Sequence, residues 1–164
     1  MKTLNQQLAQ YAAYHRDPRN VATHLVGVPM IMAAVVVLLS RPGFVLAELP
    51  LSPAVLCVAA TLLYYFVLDI GMGCVMSALL LPALWLGAWS AAQATSVWLG
   101  IGLGGFVVGW IIQFIGHYFE GRKPAFVDDL VGLLIGPLFV VVEVLLMLGL
   151  RKDLAPAMKE RAAA

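Results

Sequence analysis

Five long apolar stretches separated by short polar or Pro/Gly-rich breaks make up most of the chain: Leu25–Ser40, Pro53–Leu68, Met72–Ala92, Val97–Tyr118 and Leu130–Leu150. None alternates apolar and polar residues with a period of two, as the strands of a closed membrane barrel would, so the stretches predict helices. Crossing a bilayer upright takes roughly 20 residues, and the first stretch, with about 16, is expected to begin deeper than its neighbours. "RPGFVLAELPLSP" and "AQATS" are the clearest turn signals between stretches. Ahead of them, "MKTLNQQLAQYAAYH" places Leu4, Leu8, Tyr11 and His15 at helical spacings on one face, which predicts an amphipathic helix on the membrane or over the bundle. Asp17-Pro18 should end that helix, because the residue before a proline is pushed out of helical geometry, leaving His15 at a turn. The pattern predicts an all-α integral membrane protein, a bundle of four to five transmembrane or re-entrant helices with an N-terminal amphipathic helix. It is read as one domain over 1–164, with the amphipathic segment at 1–24, the bundle at 25–150 and a polar tail at 151–164.

Composition strengthens the membrane assignment and narrows the partners. Hydrophobic residues make up 62% of the chain and charged ones only 12%, against about half and a quarter in ordinary soluble domains. The lipid bilayer is therefore an expected partner. Ten bases against nine acids, without a basic run, exclude the electrostatic footprint of a nucleic-acid binder. Cys57 and Cys74 lie in apolar stretches, where thiols behave as small hydrophobes rather than as a disulfide or metal site. No apolar run with a cleavage site follows the start at once, so the N-terminus is expected to be retained. The bases also bear on topology. If the last stretch crosses, Arg151, Lys152, Lys159 and Arg161 fall opposite the N-terminal bases, against the positive-inside tendency. A bend back at Gly136-Pro137 removes the conflict and is the preferred arrangement.

"GIGLGG", Gly100 to Gly105, fits a nucleotide-loop pattern but lacks the soluble strand and the acidic partner that pattern needs. Its Gly100/Gly104 and Gly105/Gly109 spacings, like "GLLIG" at Gly132 to Gly136, instead suit close helix packing in lipid. The histidines are more informative. His15 and His24 bracket "RDPRNVAT", and His117 stands three residues before Glu120 in "HYFE", a spacing that puts both on one helix face. A single histidine at a helix end is commonplace, but all three gather at one membrane face if the first four stretches cross. Two or three histidines with at most one carboxylate suit Fe(II) or Zn, and the spacing leaves the choice open. Asn20 and Gln113 are candidates to orient the imidazoles through hydrogen bonds. Arg16, Arg19, Arg122 and Lys123 are interfacial cations able to meet a carboxylate or an anionic headgroup. Asp69 suits a helix cap as well as a functional role, whereas Glu143, inside an apolar stretch, is a functional candidate because it would be costly against lipid.

"YHRDPRNVATHLVGVPMI", "YYFVLD" and "QFIGHYFEGRKPAFVDDL…IGPLFVVVE" together resemble a small family of membrane proteins, typified by the fungal endoplasmic-reticulum 2-hydroxy fatty acid dioxygenase of phytosphingosine breakdown. The resemblance spans about Tyr14 to Glu143. It implies Fe(II)-dependent α-oxidation, in which a 2-hydroxy fatty acid and O2 give a fatty acid one carbon shorter and CO2. The family's histidines match His15, His24 and His117, and its acids match Asp69, Glu120 and Glu143. The match marks these residues without assigning ligands; the gathering of the histidines at one face makes His15, His24 and His117 the expected metal ligands, with Glu120 a fourth ligand or nearby base. The four cations would meet the substrate, and "GVPMIMAAVVV" would line the acyl chain's slot. A zinc-dependent membrane lipid hydrolase and a non-enzymatic helical scaffold or transporter are the alternatives. A bacterial inner membrane and an endoplasmic-reticulum membrane both suit the chain.

Overall fold

The computed structural model describes residues 2–46, 49–122, 124 and 129–159, with side chains at 46, 49 and 50 left undescribed. Lys123, the end of the polar tail and most of the "KPAFVDD" loop lie outside the described residues. The described chain is helical except for a short antiparallel hairpin, β1 (Phe44–Leu46) with β2 (Leu49–Leu51), in which Val45 pairs with Pro50. The helices are α1 (Leu4–Ala12), α2 (Pro18–Ser40), α3 (Pro53–Leu68), α4 (Ile70–Ala91), α5 (Thr95–Leu99), α6 (Gly105–Glu120), α7 (Gly132–Met147) and α8 (Ala155–Lys159). A π-helical turn at Gly100–Gly104 joins α5 to α6, and a 3₁₀ turn at Lys152–Leu154 leads into α8. Three helical stretches, Pro18–Ser40, Ile70–Ala91 and Thr95–Glu120, are long and apolar enough to cross a membrane, and the bent α7–α8 pair makes a fourth if counted as one span.

By proximity the chain falls into two compact units, one of residues 1–29 and 110–164 and the other of residues 30–109. In the first, α1 packs on α7 and α8. Its apolar face, Leu4, Leu8, Tyr11 and Ala12, is buried, as are Ile135, Leu138 and Phe139 of α7 and Leu154 and Met158 at the C-terminal end. Thr3 and Gln6 form a capping box that starts α1, each side chain bonded to the other's backbone. The amphipathic segment thus covers other helices of its unit. It ends at Ala12, and His15 follows in non-helical backbone, as the Asp17-Pro18 signal predicts.

Two boundaries depart from the pattern. Helix α2 starts at Pro18 rather than near Leu25, giving 23 residues, about 34 Å at 1.5 Å per residue and enough to span. Pro18 suits the first turn because its missing N–H is one the helix leaves unpaired, and Asp17 Oδ1 accepts the Arg19 N–H at 2.8 Å. His24 is therefore inside a helix. The expected bend at Gly136-Pro137 is absent, since α7 runs through Pro137. The chain turns instead after Met147, by 117° between α7 and the final helical segment, where Gly149 (φ 74°) and Arg151 (φ 47°) adopt left-handed backbone.

The second unit is built around the α3–α4 hairpin. Asp69 is the single extended residue between these helices and caps α4 by accepting the Met72 N–H at 2.7 Å. Gly73 lets the Phe66 ring lie where a Cβ would otherwise stand. Of the "GIGLGG" glycines, Gly102 is pressed against Leu38 and Val37, while Gly100 and Gly104 face open space. Close packing thus involves Gly102, not the Gly100/Gly104 pair. Cys57 and Cys74 are free and exposed.

Candidate metal centre

His15, His24 and His117 come from three places in the sequence and meet inside the first unit. The turn after α1 delivers His15, α2 carries His24 on its second turn, and α6 brings His117 to its last turn. Their ring centroids stand 4.4 Å (His15–His24), 5.4 Å (His15–His117) and 5.1 Å (His24–His117) apart. All three are buried, and one ligand atom from each lies within 4.8 Å of the others. Among the described residues, no other group of three His, Cys, Asp or Glu meets that description.

The hydrogen bonds around the rings define their lone pairs. His15 Nδ1 lies 2.8 Å from the Tyr11 carbonyl and His24 Nδ1 lies 2.8 Å from the Asn20 carbonyl. A carbonyl only accepts, so both Nδ1 atoms carry hydrogen and both Nε2 atoms present lone pairs. Those two Nε2 atoms face each other at 3.0 Å. Three contacts in series need three hydrogens, and two neutral imidazoles hold only two. A cation between the two Nε2 atoms would satisfy both lone pairs. A proton could bridge these two nitrogens, but His117 Nδ1 is also buried and without a hydrogen-bond partner. A metal ion would serve all three, and the N–H that His15 and His24 each donate to a carbonyl is the contact that metal-ligating histidines ordinarily make with their other nitrogen.

Glu120 is committed elsewhere. Its carboxylate accepts the Arg16 N–H at 2.8 and 3.0 Å, the Asp17 N–H at 2.9 Å and the Asn20 Nδ2–H at 3.0 Å. It thereby ties the end of α6 to the turn carrying His15 and to the residue whose carbonyl holds His24. Gly116 permits this closeness, because a Cβ there would overlap Thr23 Oγ1 and Asn20 Oδ1. Tyr11 stacks on His15, with centroids 4.2 Å apart and planes 9° apart, and Phe139 packs 5.0 Å from Tyr11 and 5.4 Å from His15. Burial pushes the Tyr11 phenol well above its usual range. Phe139 and Gly116 are site residues that the motifs did not single out, and Tyr11, placed on the same face as His15 by the helical spacing, was not read as part of the site. Tyr11 was recoverable as the residue four before His15, and Gly116 as the neighbour of His117.

The other candidates divide. Asn20 is fully buried, with Nδ2 on Glu120. Gln113, one turn before His117, is 5% exposed, and its Oε1 has no hydrogen-bond partner. Arg16 holds a buried Nε without a protein acceptor. Arg19 is paired with Asp17 at 2.7 Å and lies over the Phe119 ring, and its hydrogen bond holds the Asp17 carboxyl below the usual range. Arg122 donates to the Ala13 carbonyl at 3.3 Å. Asp69 caps α4 in the other unit. Glu143, half-buried on α7, is outside the histidine cluster.

The sequence matches the family described as "2-hydroxy-palmitic acid dioxygenase Mpo1-like" over residues 1–148. A curated relative, "2-hydroxy-palmitic acid dioxygenase MPO1" of Saccharomyces cerevisiae, is 35% identical over 148 residues, covering 89% of this chain and 82% of the yeast protein. No solved structure matches. On the extent of the family match and the identity to the yeast enzyme, the chain belongs to the Mpo1-like family.

Proposed function

We propose that the protein is a membrane-embedded, Fe(II)-dependent dioxygenase of 2-hydroxy fatty acids, acting in a bacterial inner membrane or an endoplasmic-reticulum membrane. In the overall reaction one O2 and one 2-hydroxy acid give the acid one carbon shorter, CO2 and water. The observation that carries this reading is the facing pair of His15 and His24 Nε2 lone pairs beside the unpartnered Nδ1 of His117. Three neutral nitrogens and no committed carboxylate leave positions open for a bidentate 2-hydroxy acid and O2. Bound Fe(II) would supply the redox chemistry that O2 requires and a Lewis-acid seat for the substrate's carboxylate and hydroxyl oxygens.

The protein's own groups do the holding. The Tyr11 and Asn20 carbonyls orient His15 and His24, and Glu120 locks the turn between them to α6. With both oxygens occupied, Glu120 acts as a positioning residue rather than as a ligand or base. Arg16, whose Nε lacks a protein acceptor, has donor capacity for the substrate carboxylate. The Tyr11 and Phe139 rings wall one side of the histidines and exclude water from it.

The test is anaerobic purification in mild detergent and elemental analysis of wild type, His24→Ala and His117→Ala. Near-stoichiometric iron in wild type, lost in both variants, followed by O2 uptake with 2-hydroxypalmitate and formation of pentadecanoate, is the expected outcome. Zinc that Fe(II) cannot displace would favour a hydrolase. No metal after Fe(II) reconstitution would favour a scaffold or transporter.

A further inference from the structure

Of the groups that the proposed chemistry does not use, Gln113 is the least explained. It lies on α6 four residues before His117, so the two share a helix face about one turn apart. Its side chain is 5% exposed. Its amide oxygen is buried with no hydrogen-bond partner, in a stretch otherwise composed of Gly, Phe, Val, Trp and Ile. Leaving a buried amide oxygen unpaired is costly, and in lipid no water is available to relieve it. Leu or Met would fill the same space without that cost. Such a group is most simply explained by a ligand that completes it.

We infer that Gln113 is the specificity residue of this site, its Oε1 accepting the hydrogen of the substrate's 2-hydroxyl. This rests on the proposed function. The chemistry of the candidates selects the hydroxyl: an amide oxygen needs a donor, and neither O2, a carboxylate nor an acyl chain has one. The 2-hydroxyl does, and a plain fatty acid lacks it. On a helix, side chains lean toward the N-terminus, so Gln113 covers the surface on the membrane-buried side of His117. That is where the carbon beyond a carboxylate held among the histidines would lie. A site that pairs a substrate hydroxyl rejects the analogue without it, because the acceptor is then left unpaired. Gln113 would thus contribute selection for 2-hydroxy acids over ordinary fatty acids, the far more general membrane carboxylates. As an acceptor it would also fix which face of the α-carbon meets the metal, favouring one enantiomer.

The experiment is anaerobic, equilibrium binding of 2-hydroxypalmitate and palmitate to the Fe(II)-loaded protein in detergent, with metal content measured on each sample. Anaerobic conditions separate binding from turnover. Wild type is expected to prefer the 2-hydroxy acid. Gln113→Met is expected to lose about tenfold of that preference, the worth of one hydrogen bond, while keeping its iron. Gln113→Glu, which keeps an acceptor oxygen, is expected to retain the preference within about threefold. Gln113→Met with undiminished preference would overturn the inference. So would a variant that loses iron in step with binding, because Gln113 would then support the histidines instead. A wild type that loads iron yet binds both acids equally would overturn the proposed substrate along with the inference, and so is distinguishable from failure of the Gln113 assignment alone.

Discussion

Replacing Glu120 with Gln tests whether the acid beside His117 holds the site together or takes part in its chemistry. The carboxylate receives three N–H donors, the backbone groups of Arg16 and Asp17 and Nδ2 of Asn20, at 2.8–3.0 Å. Hydrogen bonds to a charged group are worth about 1.5–3 kcal/mol each and neutral ones about 0.5–1.5. Gln keeps one acceptor oxygen but turns an NH2 group toward these donors. Because the site is only partly buried, the weakened set is expected to cost about 2–3 kcal/mol. The loosened turn carries His15, and Asn20 holds His24 through its carbonyl, so metal affinity should fall by about tenfold to a hundredfold. The assay is denaturant unfolding in detergent alongside anaerobic Fe(II) titration of wild type and Glu120→Gln. Unchanged stability and unchanged metal affinity, with turnover abolished, would refute the reasoning and make Glu120 a chemical base.

Gly116→Ala should destabilise the first unit by about 1–3 kcal/mol, because the added methyl overlaps Thr23 Oγ1 and Asn20 Oδ1. Gly100→Ala, facing open space, is the control expected to be neutral or stabilising, and thermal melts with metal content separate the two. Asp69→Ala should cost about 0.5–2 kcal/mol through loss of the α4 cap, with metal content unchanged. Burial raises the Tyr11 phenol above its unfolded value, so the unfolded state loses its proton first as pH rises. Stability should therefore fall above about pH 10, by up to about 1.4 kcal/mol per pH unit from this group. Tyr11→Phe, which keeps the ring stack on His15, should flatten that slope in pH-dependent unfolding.

Much of the scaffold was legible because its signals are local. Apolar length marked α3, α4 and the long Thr95–Glu120 stretch within a few residues, and the Leu4/Leu8/Tyr11 stripe marked α1. The misplaced start of α2 has a local cause as well. Arg19, Asn20 and Thr23 look like a polar linker, yet a proline at the first helical position, backed by Asp17, begins a helix there. The bend placed at Pro137 failed for the opposite reason: a proline within a packed apolar helix is tolerated, whereas Gly149 and Arg151 supply the left-handed backbone that turns the chain. The three histidines stood out because the chain has no others, and His24 and His117 lie 93 residues apart.

What the sequence determined by itself is the solvent and the ingredients: a chain for lipid, helices because lipid cannot satisfy bare backbone, and a scarce set of nitrogens placed near helix ends. What only the tertiary structure decided is how each polar atom is used. Glu120 and Asn20 looked equally available for chemistry until the fold brought the amides of Arg16 and Asp17 onto the Glu120 carboxylate and aimed the Asn20 Nδ2–H at the same carboxylate. Gln113 and His117 Nδ1 kept unpartnered atoms in the same unit. The physical reason is that hydrogen-bond partners more than a hundred residues apart, such as Arg16 and Glu120, leave no periodicity in the chain. Their pairing is set by helix packing, and with it the difference between a residue that holds the site and one left free to meet a substrate.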